Sequence, residues 1–348
     1  MSSHSFAAAL LRSGSQAFAG LAAARLFETD QEAASMADFE AWRQHLHSRI
    51  QALAAAVEDQ GPELFAQDVL WSRTAFEART MPVAMLANAL GRLEEVLADS
   101  LPPPALPVLP EYFALAQAAL RDNAQAALEP APISSPSSAL AREYLALVRS
   151  GDERASSKLV LAAVDSKQIT VFDAIDNVIT YAQAEMGRLW HRSEIGVDEE
   201  HFATHAARKL LTLLSERGPD APNKPHTVVV ASVAGDAHDL GAHMVAVRFR
   251  LDGWKTIFLS SDVPIESIVA SVQRFQPTIV ALGATLPEQR LMVERTIEAI
   301  RVHRPKQFVI VGGRAFAGRP DLWRKSGADA LGPSAAQALL QANEVSQR

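Results

Sequence analysis

The stretch with the clearest chemical potential is Ala234-Gly235-Asp236-Ala237-His238-Asp239-Leu240-Gly241. A carboxylate two residues before an imidazole can hold the proton on one ring nitrogen, which leaves the other nitrogen's lone pair for a metal. The same spacing also suits an exposed loop histidine with an aspartate neighbour, and the residues alone leave both readings open. The stretch is not a dinucleotide loop, because its glycines lack that spacing. Nor is it a phosphate loop, because no Gly-Lys-Ser/Thr ending follows. A second group of candidates is Trp190 and His191 with Glu200 and His201. Each of these has an ordinary explanation. Trp190 can be a core aromatic at a helix end, Glu200 suits a helix's first turn, and His201 with His205 can be a solvated face or a weak metal pair.

The elements that must carry these residues follow from periodicity and breakers. After Pro219–Pro225 the runs Thr227–Val233, Trp254–Leu259, Thr278–Leu282, Phe308–Val311 and Ala328–Leu331 read as strands buried on both faces. Helical stretches at 239–251, 264–274, 287–303 and 314–325 separate them. Such alternation predicts a doubly wound parallel sheet, which binds ligand at the carboxyl ends of its strands. The histidine loop follows the first strand. Gly241 opens the next helix, Gly283 ends the third strand and Gly312-Gly313 ends the fourth, so a slot lacking Cβ atoms is expected beside His238. Upstream, helices near 139–149, 153–165, 172–191 and 198–216 predict a small four-helix bundle.

Asp236-x-His238-x-x-Gly241 with Gly312-Gly313 downstream resembles the cobalamin-binding domain of methionine synthase, corrinoid carrier proteins and cobalamin photoreceptors. The resemblance implies a flavodoxin-like (Rossmann-like) fold in which His238 replaces the cofactor's own base as lower cobalt ligand. The displaced nucleotide tail would enter the glycine slot. That family often has a serine on the third strand; here the segment is Ala281-Leu-Gly283-Ala-Thr285, which leaves Thr285 or the backbone to hold the tail. The run Trp190-His191…Glu200-His201 is similar to the helical cap of adenosylcobalamin-dependent light-sensing regulators, with Glu and His ten and eleven residues after the Trp. There the three side chains surround the adenosyl group, and a histidine at the position of His191 takes the vacated cobalt position after light. The resemblance covers about residues 139–345 and implies a light sensor whose cap packing changes on cobalt–carbon photolysis. The alternative is a corrinoid methyl-carrier subunit serving a separate methyltransferase. A mutase subunit ranks behind both, since no substrate cavity or catalytic set is evident.

The chain has 348 residues, a formal net charge of −7, 48% hydrophobic and 21% charged residues, and no cysteine. Disulfides, thiolate metal sites and thioether-linked chromophores are therefore excluded. The acidic balance argues against a broad nucleic-acid surface. No apolar run reaches membrane-spanning length, and the N-terminus does not read as a secretory signal, so a cytoplasmic protein is expected. Four segments are expected: an all-helical domain at 1–128, a Pro/Ser linker at 129–138, a cap at 139–220 and a cobalamin-binding domain at 225–348. About five helices are expected in the first, with the proline run Leu101–Pro110 non-helical. It shows no winged helix and no basic recognition helix, so it reads as a module for dimerisation or for docking a protein effector. Trp42, Trp71, Phe76 and the proline run could instead wall a pocket for non-covalent biliverdin; plain core is the simpler reading.

Overall fold

Alanine-rich faces dominate the N-terminal third, and small side chains let helices lie close. In the computed structural model, which describes residues 2–122, 137–218 and 221–346, this region forms six α-helices. They are α1 (Ser3–Thr29), α2 (Gln31–Met36), α3 (Phe39–Glu58), α4 (Pro62–Ala78), α5 (Val83–Ser100) and α6 (Leu109–Arg121). Helix α1 buries Ala7, Ala8, Leu11, Ala19, Ala22, Ala23 and Leu26 and packs mainly on α3. The starts are conventional: the Asp30 and Asp38 side chains accept from Ala33 N and Ala41 N, capping α2 and α3. The proline run differs from expectation. A 3-10 turn covers Leu106–Val108, and α6 begins at Leu109 with Pro110 in its first turn. Proline's missing N–H is harmless there, because a first-turn amide has no partner within the helix.

The chain divides into two compact units, Met1–Leu128 with His191–Ser193, and Glu129–Trp190 with Glu194–Arg348. Of the expected linker, 129–136 lie outside the described residues, while Ser137 and Ser138 already belong to α7 (Ser137–Arg149).

The second unit begins with the bundle: α7, α8 (Glu153–Asp165), a segmented helix and α11 (Val197–Ser215). The segmented helix runs through α9 (Val171–Asp173), a π-helical stretch (Ala174–Ile179) and α10 (Thr180–His191). Thr170 starts it with a reciprocal cap to Asp173. The π stretch adds a residue to the helical repeat. Within it, Asp176 pairs with Arg248 of the neighbouring layer.

Five parallel strands follow: β1 (Thr227–Ser232), β2 (Lys255–Phe258), β3 (Ile279–Gly283), β4 (Phe308–Gly312) and β5 (Ala330–Leu331), in the order β2-β1-β3-β4-β5. Their helices are α12 (Leu240–Leu251), α13 (Ile265–Phe275), α14 (Arg290–His303), α15 (Leu322–Lys325) and α16 (Ala335–Ser346). β1 and β3 lie side by side, with Val228 opposite Ile279 and Ser232 opposite Gly283. The order reverses between them, which opens a crevice at their carboxyl ends. The expected helix at 314–325 is not continuous. A 3-10 turn at Arg314–Phe316 gives way to Gly318 and Pro320 before the short α15, since Gly318 adopts φ +96 and a proline cannot lie inside a helix. Val247 and Leu251 of α12 join the bundle's core, so one helix is shared between bundle and sheet.

Candidate functional site

The loop after β1 is shaped by its own hydrogen bonds. Gly235 takes φ +82, a left-handed conformation that glycine adopts without a Cβ clash. Asp236 is fully buried. Its Oδ1 accepts from the backbone N–H of His238 at 3.0 Å and faces His238 Nδ1 at 3.1 Å. With Nδ1–H directed at the carboxylate, the lone pair of the neutral ring sits on Nε2. The His238 side chain is 65% exposed, and no described residue takes its Nε2. The hydrogen bond that Nδ1–H donates to Asp236 holds the His238 pKa above the ordinary imidazole value. Burial opposes this, the charges of Asp236 and Glu200 reinforce it, and Arg314 works against it. Glu200, at the start of α11, and Arg314, just past β4, thus lie within electrostatic reach of the ring.

The other candidates are placed as follows. Glu200 accepts from His201 Nδ1 at 2.7 Å and from Thr204 Oγ1 at 2.9 Å. His205 lies 3.6 Å from Glu153 rather than paired with His201. Among the described residues no group of three or more acidic, histidine or cysteine side chains could hold a metal. Trp190 is 39% exposed, unusual for so large an aromatic. His191 is buried and clusters with the first unit. Its ring stacks on Trp71 at 3.8 Å between centroids, and its Nε2 lies 2.8 Å from the Trp71 carbonyl oxygen. Trp42 and Phe76 are buried and pack edge-to-face on one another at 5.8 Å, as core residues do.

The glycines divide into two kinds. A Cβ built on Gly241 or Gly235 would meet nothing within 4 Å, so both border open space. A Cβ on Gly312 would approach the Gly332 carbonyl oxygen to 2.7 Å, and one on Gly313 would collide with the Ala284 carbonyl oxygen. At those two positions the neighbouring chain already requires glycine. Gly283 is intermediate, with Ser232 Oγ at 3.3 Å from such a Cβ. Thr285 donates its backbone N–H to Gln289 Oε1 at 2.8 Å.

Sequence reasoning did not single out several residues that build the site. Asp239 is 5% exposed in its side chain, pairs with Arg208 of α11 and accepts from Ser260 Oγ. Gln289, Asp262 and Arg290 hold the loops together by side-chain-to-backbone bonds. Only Asp239, adjacent to His238, carried any signal in the sequence; the rest lie far away along the chain.

The donor set suits a corrin cobalt. One imidazole nitrogen is committed to a buried carboxylate, the other is open, and the loop beside it borders free space. Two family models agree: residues 226–340 match the B12 binding domain, and residues 140–215 match a second B12 binding domain. The chain is therefore a cobalamin-binding protein, with the helical bundle and the sheet as the two matched parts. It is similar to a corrinoid protein of Desulfitobacterium hafniense (25% identity, 56% of this chain and 92% of that one). It is also similar to a trimethylamine corrinoid protein of Methanosarcina barkeri (26% identity, 54% and 86%). The fold matches that of the Methanosarcina barkeri monomethylamine corrinoid protein, with a TM-score of 0.51 at 19% identity over 60% of this chain and 99% of that one. Residues before 140 lie outside both family matches.

Proposed function

We propose that this protein is a corrinoid carrier: it holds cobalamin through His238, with the cofactor's own base displaced, and presents it to a separate methyltransferase. The Asp236–His238 pair at the β1/β3 crevice, with its open Nε2, is the observation that carries this reading. When bound, the cofactor supplies a cobalt–carbon bond that can carry a methyl group or, with an adenosyl ligand, absorb visible light and break. Asp236 fixes the imidazole's tautomer and makes it a better donor. Gly235 and Gly241 keep the loop's edge low, and Gly283, Thr285, Gly312 and Gly313 would border the nucleotide tail. Glu200, on the bundle, would be a further residue to contact the cofactor. The similarity to the corrinoid proteins of Desulfitobacterium hafniense and Methanosarcina barkeri supports the carrier reading.

A second reading, an adenosylcobalamin light sensor, is favoured by Trp190, which is exposed, and by the Glu200–His201 pair. In that case Trp190 and Glu200 would contact the adenosyl group. His191 would have to leave its stack on Trp71 to reach a metal.

Purified protein is mixed in the dark with methylcobalamin or adenosylcobalamin and passed through gel filtration, for wild type and His238→Ala. Binding of cobalamin by wild type and its loss in the variant are expected. Retention of methylcobalamin with an absorption spectrum changing only on mixing with methyl acceptor and partner supports the carrier. Selective retention of adenosylcobalamin with a light-driven spectral change selects the sensor instead. Equal binding by His238→Ala overturns the lower-ligand assignment.

A further inference from the structure

We infer that Gln289 is a positioning residue for His238, its buried side-chain amide joining the crest of the histidine loop to the loop after β3. The inference rests on His238 being the lower ligand. Gln289 is only 4% exposed. Its Oε1 accepts the backbone N–H groups of Thr285 and Leu286, both at 2.8 Å, and its Nε2 donates to the Gly235 carbonyl oxygen at 2.9 Å. A carboxamide is the side chain that can accept twice on one oxygen and still donate from the same group. All three bonds go to backbone, so the side chain fixes chain positions rather than another side chain's rotamer.

Gly235 is held from its other side as well. Its N–H donates to Asp262 Oδ1 at 2.7 Å, and Asp262 N–H donates to the Asp236 carbonyl oxygen at 2.9 Å. Asp262 belongs to the loop after β2. The peptide that leads into Asp236 is therefore clamped by the loops of both neighbouring strands, one on each side of β1. Asp236 in turn orients the His238 ring. Displacing Gly235 would shift Asp236, one peptide bond away, and with it the imidazole that Asp236 holds. The next residue, Arg290, donates to the Ala315 carbonyl oxygen at 2.6 Å. The β3 loop thereby links the loops after β1 and β4, where the ligand would sit.

The chemistry of the side chain separates this role from plain packing. Gln289→Glu keeps the two acceptor bonds and loses the donor, setting a carboxylate against the Gly235 carbonyl. Gln289→Met keeps the size and loses all three bonds. Outer-sphere partners of metal ligands typically change metal affinity by about 10–100-fold.

The test is titration of the full chain with reduced cobinamide, a cobalt(II) corrin with no base of its own. Electron paramagnetic resonance then shows nitrogen splitting only when a protein imidazole binds the cobalt. Wild type is expected to show that splitting, and His238→Ala to lose it. Gln289→Glu and Gln289→Met are expected to bind about 10–100-fold more weakly, with a reduced imidazole-split fraction at saturation. Wild-type affinity and full splitting in folded Gln289 variants overturn the positioning role while leaving His238 as ligand. Splitting that survives His238→Ala, or is absent from wild type, overturns the His238 reading itself. Should both Gln289 variants fail to melt cooperatively, Asp262→Gly decides: its position is exposed, and it removes the opposite clamp from Gly235. Unchanged binding and splitting in that variant then overturn the inference.

Discussion

At the scale of single residues, burial sets what a side chain can do. His238 and His45 illustrate opposite outcomes. His238 has a carboxylate partner that favours its proton. His45 lies inside the N-terminal unit against Trp42 and Phe76, at 5.8 and 5.2 Å between ring centroids. Its Nε2 is buried with no hydrogen-bond partner among the described residues. Burial, assisted by the charge of Arg49, pushes its pKa down to about 3. The unfolded chain binds a proton there from about pH 6.5 downward, and the folded chain does not. Stability from this group is therefore complete above pH 6.5 and falls as pH drops toward 3, by about 2 kcal/mol on reaching pH 5. His45→Phe keeps an aromatic ring and removes the titration. Thermal melts at pH 7.5 and pH 5 should show the variant losing less than wild type; equal losses would remove His45 as a cause of acid sensitivity.

At the scale of elements, two ion pairs join the bundle to the sheet layer: Arg208 of α11 with Asp239, and Arg248 of α12 with Asp176 in the π stretch. Arg248 also lies 4.4 Å over the Phe172 ring, adding a cation–π contact. Asp239 is nearly inaccessible, whereas Arg208 is about half exposed, so solvent screens the pair from one side. Arg208→Met leaves the buried carboxylate with only the Ser260 hydroxyl as side-chain partner, and a loss of about 1–2 kcal/mol is expected. Adding Asp239→Asn removes the buried charge and should return part of that loss, which urea titration of wild type, single and double variants measures. A double variant no more stable than Arg208→Met would mean the charge was not the penalty. Elements of this kind were legible in the sequence to different degrees. The strands were, because Thr227–Val233, Thr278–Leu282 and Phe308–Val311 are short apolar runs rich in β-branched residues, the pattern of burial on both faces; β2, at the sheet's edge, is not buried in that way. The 314–325 segment was misread because two short turns separated by Gly318 and Pro320 have the composition of one helix. Pro110 was read as a breaker although a helix's first turn accepts it. The Asp236–His238 pair was visible as a two-residue spacing. Gln289 and Arg208 were not, since a hydrogen bond across 54 residues or an ion pair across 31 leaves no periodic trace.

At the scale of the whole molecule, the two units have separate cores. One is centred on Trp42, Phe65, Phe113 and Leu53. The other unit holds the bundle's core, with Tyr144 and Leu210, and a sheet core with Phe249 and Ile310. The residues that form the His238 loop belong to the second unit, whereas His191 clusters with the first. A ligand that binds only the folded state stabilises the unit whose residues hold it, by about 2.7 kcal/mol at a hundredfold excess over Kd. Hydroxocobalamin should therefore slow hydrogen exchange in peptides covering 234–241 and 279–290, and more weakly elsewhere in 137–346. Peptides from 3–121 should exchange at their unliganded rate. In His238→Ala the protection should vanish from both regions. Protection of 3–121 equal to that of the β1 loop would show instead that cofactor binding is felt across both units. The N-terminal helices would then be a receiver of the cobalamin signal rather than a module that folds on its own account, and the light-sensor reading would gain over the carrier.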